Sequence, residues 1–265
     1  MTDAWIMLLS VGMAAGLLGG LLGIGGGILL MPVLRFGLHL TPADAAGTTV
    51  LAVWCTTLAG GLKHYRLGHV PLRALVPVMI SGAVSTLLCS LLFARWARTG
   101  FWLDLGIGAV FTAVALRMLW DAVARAPEQQ SNAPDALPLH GGLLRKALLG
   151  AGAGILPGLF GIGTGAVLVP AFRYCFRAPI KVAIGASLAC FCANALISAA
   201  FKYAQGYVRL DVAVPLCGGC VLGAQLGAMI NQRAPARWLG FLFGLLFLSV
   251  AARFLYTGMG ECLQL

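Results

Sequence analysis

Two glycine runs in an otherwise apolar sequence are the residues best suited to chemistry in this chain. The first is Gly23-Ile24-Gly25-Gly26-Gly27, followed by Pro32; the second is Gly161-Ile162-Gly163-Thr164-Gly165, followed by Pro170. Glycine admits positive φ and lets a ligand approach the backbone closely. A short helix that starts just after such a run offers unpaired N–H groups and the positive end of its dipole. Helix N-termini and glycine nests bind anions without a formal charge. Two such ends meeting would make a compact anion site, with Gly25, Gly26, Gly27, Gly163, Thr164 and Gly165 as its donors. Close helix packing is the competing use of glycine. It suits Gly12, Gly16 and Gly20, spaced by four, better than it suits the two runs. No Gly-Lys-Ser/Thr follows either run, which argues against a nucleotide-phosphate loop.

Other polar side chains cluster near the runs. Thr48 and Thr49 follow Gly47, Ser187 follows Gly185, and Asn194 sits within an apolar stretch. Hydroxyls and amides can bond an oxyanion, although Ser and Thr in membrane helices also bond their own backbone. Lys63, His64 and Lys202, with Tyr65 and Tyr203 beside them, could attract or gate an anion at a cavity mouth; at helix ends they could equally snorkel to headgroups. Asp104 lies in an apolar run and could pair with an Arg, whereas Asp211 suits a helix start. Cys217-Gly218-Gly219-Cys220 has redox-motif spacing, but the four histidines fall in other segments. Packing is therefore the expected role of these thiols, and no metal or cofactor is expected.

The elements that must position these residues follow from composition. Of 265 residues, 60% are hydrophobic and 10% charged, and the mean hydropathy is +0.93. A soluble domain is about 25% charged. Apolar stretches at 4–22, 72–94, 99–120 and 237–257 approach the ~20 residues that cross a bilayer as helix. The chain reads as an all-α polytopic membrane protein. Its first stretch carries Asp3 and no basic n-region, so it is expected to be a transmembrane helix and not a signal peptide. The formal charge of +10 sits on residues that punctuate the apolar segments, as at lipid headgroups. Nucleic acid is not an expected partner.

Residues 125–141 have linker composition, with three prolines and small polar residues. They divide the chain into an N-terminal half, 1–124, and a C-terminal half, 142–265. Helices are expected near 4–22, 43–62, 72–94 and 99–120, and again near 143–160, 181–201, 210–231 and 237–257. The short apolar segments 28–38 and 166–176 follow the glycine runs. A shift of 138 positions brings the halves into one ungapped register: Gly23 on Gly161, Gly25 on Gly163, Gly27 on Gly165 and Pro32 on Pro170. The same shift puts Arg35 on Arg173, Tyr65 on Tyr203, Gly68 on Gly206 and Pro77 on Pro215. Each half then has about four transmembrane helices and a discontinuous or re-entrant segment after its glycine break. Such duplication marks transporters that hold substrate near the midplane. Basic residues flank nearly every junction and leave the topology open; inversion is the expectation, because discontinuous segments accompany it.

The paired glycine–proline motifs, the Lys202-Tyr203 cluster before Gly206-Tyr207-Val208 and the two-half layout resemble the sulfite exporter TauE/SafE family. The resemblance spans nearly the whole chain. It implies a multi-pass permease of the bacterial inner membrane for small anions, notably sulfite and sulfonates such as sulfoacetate. Thr164, where the first run has Gly26, departs from the pattern and makes the half-sites unequal. The expected function is a secondary transporter and not an enzyme, with a small anion and the bilayer as partners and the oligomeric state, a homo-oligomer included, left open. The alternatives are a membrane-embedded redox or sulfur-transfer protein using Cys217 and Cys220, or an anion channel.

Overall fold

The apolar stretches fold as helices, and among the described residues there is no strand. A computed structural model describes residues 2–97, 100–124, 142–176, 178–230 and 248–259. The linker at 125–141, residues 231–247, which include the first part of the helix expected at 237–257, and Cys262 lie outside them. In chain order the helices are α1 (Thr2–Leu22), α2 (Gly27–Pro32), α3 (Pro42–Arg66), α4 (Leu72–Ala97), α5 (Gly100–Ala124), α6 (Leu143–Ile155), α7 (Gly165–Cys175), α8 (Ile180–Ala204) and α9 (Leu210–Ile230). A further helix, α10, covers residues 248–259. Among the described residues, six spans are long and apolar enough to cross a membrane: Ala4–Leu22, Pro42–Arg66, Leu72–Arg95, Leu143–Phe160, Lys181–Ala204 and Leu210–Ile230. The protein is therefore a multi-pass membrane protein.

Local chemistry sets the helix boundaries. Thr41 caps α3 by accepting the Asp44 amide at 3.1 Å, and Pro42 occupies the first turn, where its missing N–H is harmless. The Lys63-His64-Tyr65-Arg66 cluster does not stop α3 but forms its last turn. The chain then turns at Gly68, where φ is 76°, with Leu67 N donating to Lys63 O, Gly68 N to Tyr65 O and His69 N to His64 O. The end of α8 makes the same three bonds 138 positions later: Gln205 N to Phe201 O, Gly206 N to Tyr203 O and Tyr207 N to Lys202 O. There Gly206 has φ of 82°. These two turns agree bond for bond.

Two segments widen into π-type turns: Val33–Gly37 after α2 and Leu156–Phe160 after α6. Each lies at a proline, Pro32 or Pro157, which cannot donate the bond that would continue a regular helix.

The described residues of Met1–Ala94 and Ala136–Gln232 form one compact unit, and those of Arg95–Asp135 and Arg233–Leu265 a second. In the first unit, α1 packs along α9, α3 against α8 and α9, and α7 against α8. Val50, Val53, Phe191, Ala195 and Ala199 form one buried cluster; Leu75, Val78, Leu168, Phe172 and Cys190 belong to another. In the second unit, Phe111 stacks on Phe254 with centroids 5.7 Å apart. Asp104 is buried there and does not stand unpaired.

The α1–α9 contact is made backbone to backbone. A Cβ at Gly12, Gly16 or Gly20 would strike the carbonyl of Leu216, Cys220 or Ala224. In return, a Cβ at Gly219, Gly223 or Gly227 would strike the carbonyl of Leu9, Met13 or Leu17. The packing role read for Gly12, Gly16 and Gly20 is thus their place in the fold, and α9 answers with its own glycines spaced by four. Gly218, on the same helix, would place a Cβ in open space. Gly223→Ala is expected to lower stability by about 1–3 kcal/mol through overpacking, whereas Gly218→Ala is expected to be neutral or stabilising through better helix propensity. Thermal unfolding of the purified protein in detergent checks the contrast; equal shifts would contradict it.

Candidate functional site

The helix stops at Leu22 because the next residues take left-handed backbone: φ is 73° at Gly23, 79° at Gly25 and 76° at Gly26. At the second run only Gly161 is left-handed, with φ of 67°. Gly26 and Thr164, which share a register, differ most. Gly26 caps α2 from the left-handed region, while Thr164 caps α7 with φ of −83°. An L-residue pays about 1–2 kcal/mol in that left-handed region, so the exchange of glycine for threonine changes the backbone path as well as adding a hydroxyl.

The two runs lie against one another. A Cβ at Gly163 would strike the Ile24 carbonyl, and one at Gly165 would strike the Gly23 carbonyl. A Cβ at Gly27 would lie 3.0 Å from the Gly163 amide nitrogen. The N-termini of α2 and α7 therefore converge. Their caps match: the Gly26 carbonyl accepts the amides of Leu29 and Leu30 at 3.1 and 3.2 Å, and the Thr164 carbonyl those of Val167 and Leu168 at 2.9 Å each. The amides of Gly27 and Gly165, at the start of each helix, make no backbone hydrogen bond among the described residues. Phe191 and Val53 close the space beside them. Phe191 lies 2.9 Å from a Cβ at Gly25 and 3.4 Å from one at Gly163, and Val53 lies 2.8 Å from one at Gly27. The convergence is occluded in this conformation.

The polar candidates divide into engaged and unengaged groups. Ser187 Oγ donates to the Gly23 carbonyl at 3.1 Å, tying α8 to the first run. Thr48 Oγ1 accepts the Arg209 amide at 3.1 Å, and Thr49 Oγ1 contacts Met31 Sδ at 3.7 Å. Thr56 and Thr57 donate to Ala52 O and Val53 O in their own helix. Thr164 Oγ1 and Asn194 Oδ1 are buried with no hydrogen-bond partner among the described residues. A buried polar atom left unpaired is costly, so these two stand out.

The basic cluster is more buried than its place at helix ends suggests. Lys202 is fully buried: Nζ donates to Pro157 O at 3.0 Å, Gly158 O at 2.7 Å and Ser198 Oγ at 2.8 Å, and it lies 4.1 Å from the centroid of the Phe93 ring. All three ammonium donors are used, two of them on carbonyls of the π-type turn that leads into the second run. His64 is also buried, with Nδ1 3.3 Å from Nδ1 of His69. Lys63 is half-buried, while Tyr65 and Tyr203 face outward. Arg209 and Asp211 pair at 3.0 Å on the surface; the bond from Arg209 holds the Asp211 carboxylate in place at the start of α9. His69, between α3 and α4, is held below its ordinary pKa by burial and by the charge of Lys181.

Sequence reasoning missed His69, Ser198 and Phe191. The 138-residue register carried no signal for the first two, since it sets His69 on Tyr207 and Ser198 on Gly60. Phe191 carried none, being one apolar residue among many.

The cysteines at 55, 89, 175, 190, 192, 217 and 220 are free thiols. Cys217 interacts with Cys55 of α3, and Gly219 between Cys217 and Cys220 is consumed by the contact with α1. No group of three or more His, Cys, Asp or Glu among the described residues could hold a metal.

The family model described as sulfite exporter TauE/SafE matches residues 8–254. A probable membrane transporter protein of Xylella fastidiosa (strain Temecula1) is 32% identical over 248 residues, covering 91% of this chain and 89% of its own length. The probable membrane transporter protein YunE of Bacillus subtilis is 24% identical and covers 97% of this chain and 99% of its own. A probable membrane transporter protein of Haemophilus influenzae is 28% identical, with coverage of 93% and 96%. No solved structure gives a significant match.

Gly26→Ala is expected to lose about 2 kcal/mol or more, from the left-handed φ and a clash with the Ala15 carbonyl. Thr164→Ala removes an unpaired hydroxyl from right-handed backbone and is expected to unfold at or above the wild-type temperature. Unfolding followed by tryptophan fluorescence separates the two.

Proposed function

This chain belongs to the sulfite exporter TauE/SafE family of membrane transporters, and on that premise we propose that it is a secondary permease whose substrate is a small sulfur oxyanion or sulfonate. The observation that carries this reading is the convergence of the α2 and α7 N-termini at facing glycine runs. Their amides and dipoles favour negative charge without a fixed cation. Donors come from Gly26 and Gly27 on one side and from Gly163, Thr164 and Gly165 on the other; the Gly25 amide, expected among them, instead donates to the Gly19 carbonyl at 3.4 Å. The Thr164 hydroxyl adds a side-chain donor, a role that suits a buried group with no partner among the described residues, whereas the unpartnered atom of Asn194 is Oδ1, an acceptor, and its side chain lies against Gly82. Thr48, Thr49 and Ser187 hold the surrounding backbone and Met31 in place. Lys202 Nζ bonds the carbonyl of Gly158, three residues before Gly161, and His64 sits at the matching position of the other half.

Transport follows by alternating access between two related halves. The shared register of glycines and prolines, and the bond-for-bond agreement of the turns after α3 and α8, support an internal repeat. The halts at Leu22 and Phe160, each followed by a short helix, support discontinuous segments that meet at the midplane. The occluded packing of Phe191 and Val53 is one state of the cycle; opening toward either side requires the two short helices to part. The membrane is the bacterial inner membrane.

Flux of labelled sulfite and sulfoacetate into proteoliposomes tests the reading. Thr164→Val is expected to lower flux about tenfold, the loss of one hydrogen bond to a charged ligand, with no loss of stability. Gly163→Val is expected to abolish it. Unchanged flux in a folded Gly163→Val protein would overturn the site assignment. Rates that never saturate with anion concentration would favour a channel.

A further inference from the structure

His64 and Lys202 occupy one register, on α3 and α8, and both are buried, with 1% and 0% exposure. Each faces the backbone of a register-matched glycine on the helix that leads into a run. Lys202 donates to the Gly158 carbonyl at 2.7 Å, and the Gly20 backbone acts on the His64 ring. The two positions differ in one chemical respect. Lys202 has all three donors bonded. His64 has one nitrogen, Nδ1, 3.3 Å from Nδ1 of His69, while its Nε2 is buried with no partner among the described residues.

Two imidazoles joined nitrogen to nitrogen hold one shared N–H in their neutral state. They can take up one further proton, whose charge the pair carries; a second would set two cations against each other at 3.3 Å. The groups around the pair supply no counter-charge. From α8 the charged neighbour is Lys181, a cation that acts on His69; Gly185 of the same helix packs between the two histidines and adds no side chain. From α1 only the Gly20 backbone faces His64. On its own segment the neighbours are Lys63, Tyr65 and Arg66. No carboxylate among the described residues acts on the pair.

We propose that the His64–His69 pair is the proton-binding site of the carrier, and that one proton crosses the membrane together with each anion. This rests on the anion reading of the glycine runs. A proton bound where the protein offers no carboxylate is compensated when an anion arrives at the adjoining break, one helical turn beyond Gly20. By linkage, the factor by which the proton tightens anion binding is the factor by which the anion tightens proton binding. The two ligands therefore load and leave together. Lys202 is the counterpart in the other half, with all three donors bonded, and His64 is the one with a nitrogen left to take a proton.

The test uses the full chain in proteoliposomes, with the membrane potential clamped and labelled sulfoacetate as probe, since its charge does not change between about pH 6 and 8, where imidazole titrates. At equal pH the wild type exchanges the anion. With the outside more acid by about one pH unit, it accumulates the anion up to roughly tenfold, the limit for one proton per anion. His64→Gln and His69→Gln lose gradient-driven accumulation. Wild-type exchange that ignores the gradient overturns the inference, as does gradient-driven accumulation in His64→Gln. A separate measurement needs no substrate: 15N-histidine NMR in a His39→Gln, His140→Gln background should show the pair taking up a single proton as the pH falls. Two independent titrations would overturn the shared site. Absence of exchange with sulfoacetate, sulfite and thiosulfate alike, beside a one-proton titration, would overturn the anion reading and the symport built on it.

Discussion

A helix that stops inside a bilayer leaves amides and carbonyls that lipid cannot satisfy, and each such group costs several kcal/mol. This constraint governs the first compact unit. The break after Leu22 and the break after Phe160 are each buried against the other, carbonyls of one over the glycines of the other. Carbonyls left by the π-type turn at Leu156–Phe160 are taken up by Ser198 and Lys202. The Gly23 carbonyl is taken up by Ser187. The first amides of α2 and α7 make no backbone hydrogen bond among the described residues.

The two sides solve one geometric problem with different residues. Three left-handed glycines shape the first break; the second has one, and Thr164 takes ordinary right-handed backbone in place of Gly26. At the neighbouring basic position, a lysine with three bonded donors faces a histidine with an unbonded nitrogen. Sequence symmetry thus coexists with chemical asymmetry, and the asymmetry is concentrated where ligand and charge would sit.

Much of this was legible in the residues. Hydropathy located the spans, and the Gly-x-Gly pattern with its proline located both breaks, because each rests on local backbone physics. The fourfold spacing of Gly12, Gly16 and Gly20 announced close packing, and the partner glycines at 219, 223 and 227 lay in plain view beside a cysteine pair that drew attention away from them. What was not legible is partnership at a distance. Nothing local to Lys202 says that its ammonium turns inward to the carbonyls of Pro157 and Gly158 and not outward to headgroups. Nothing local to Thr48 says that it will hold the Arg209 amide. α3 also ran one turn further than expected, through the polar cluster thought to end it, since Gly68, not the charges, supplies the stop.

The glycine contact between α1 and α9 also bears on how the protein is made. α1 leaves the ribosome first, yet the face built from Gly12, Gly16 and Gly20 matches a helix that begins only at Leu210. During synthesis α1 must wait in the bilayer with that groove facing lipid or a chaperone while α3, α4, α6, α7 and α8 are inserted. The last described helix of the unit then closes on the first. A chain truncated before α9 would lose this clasp, so the packing of α1 is completed only once α9 has been made.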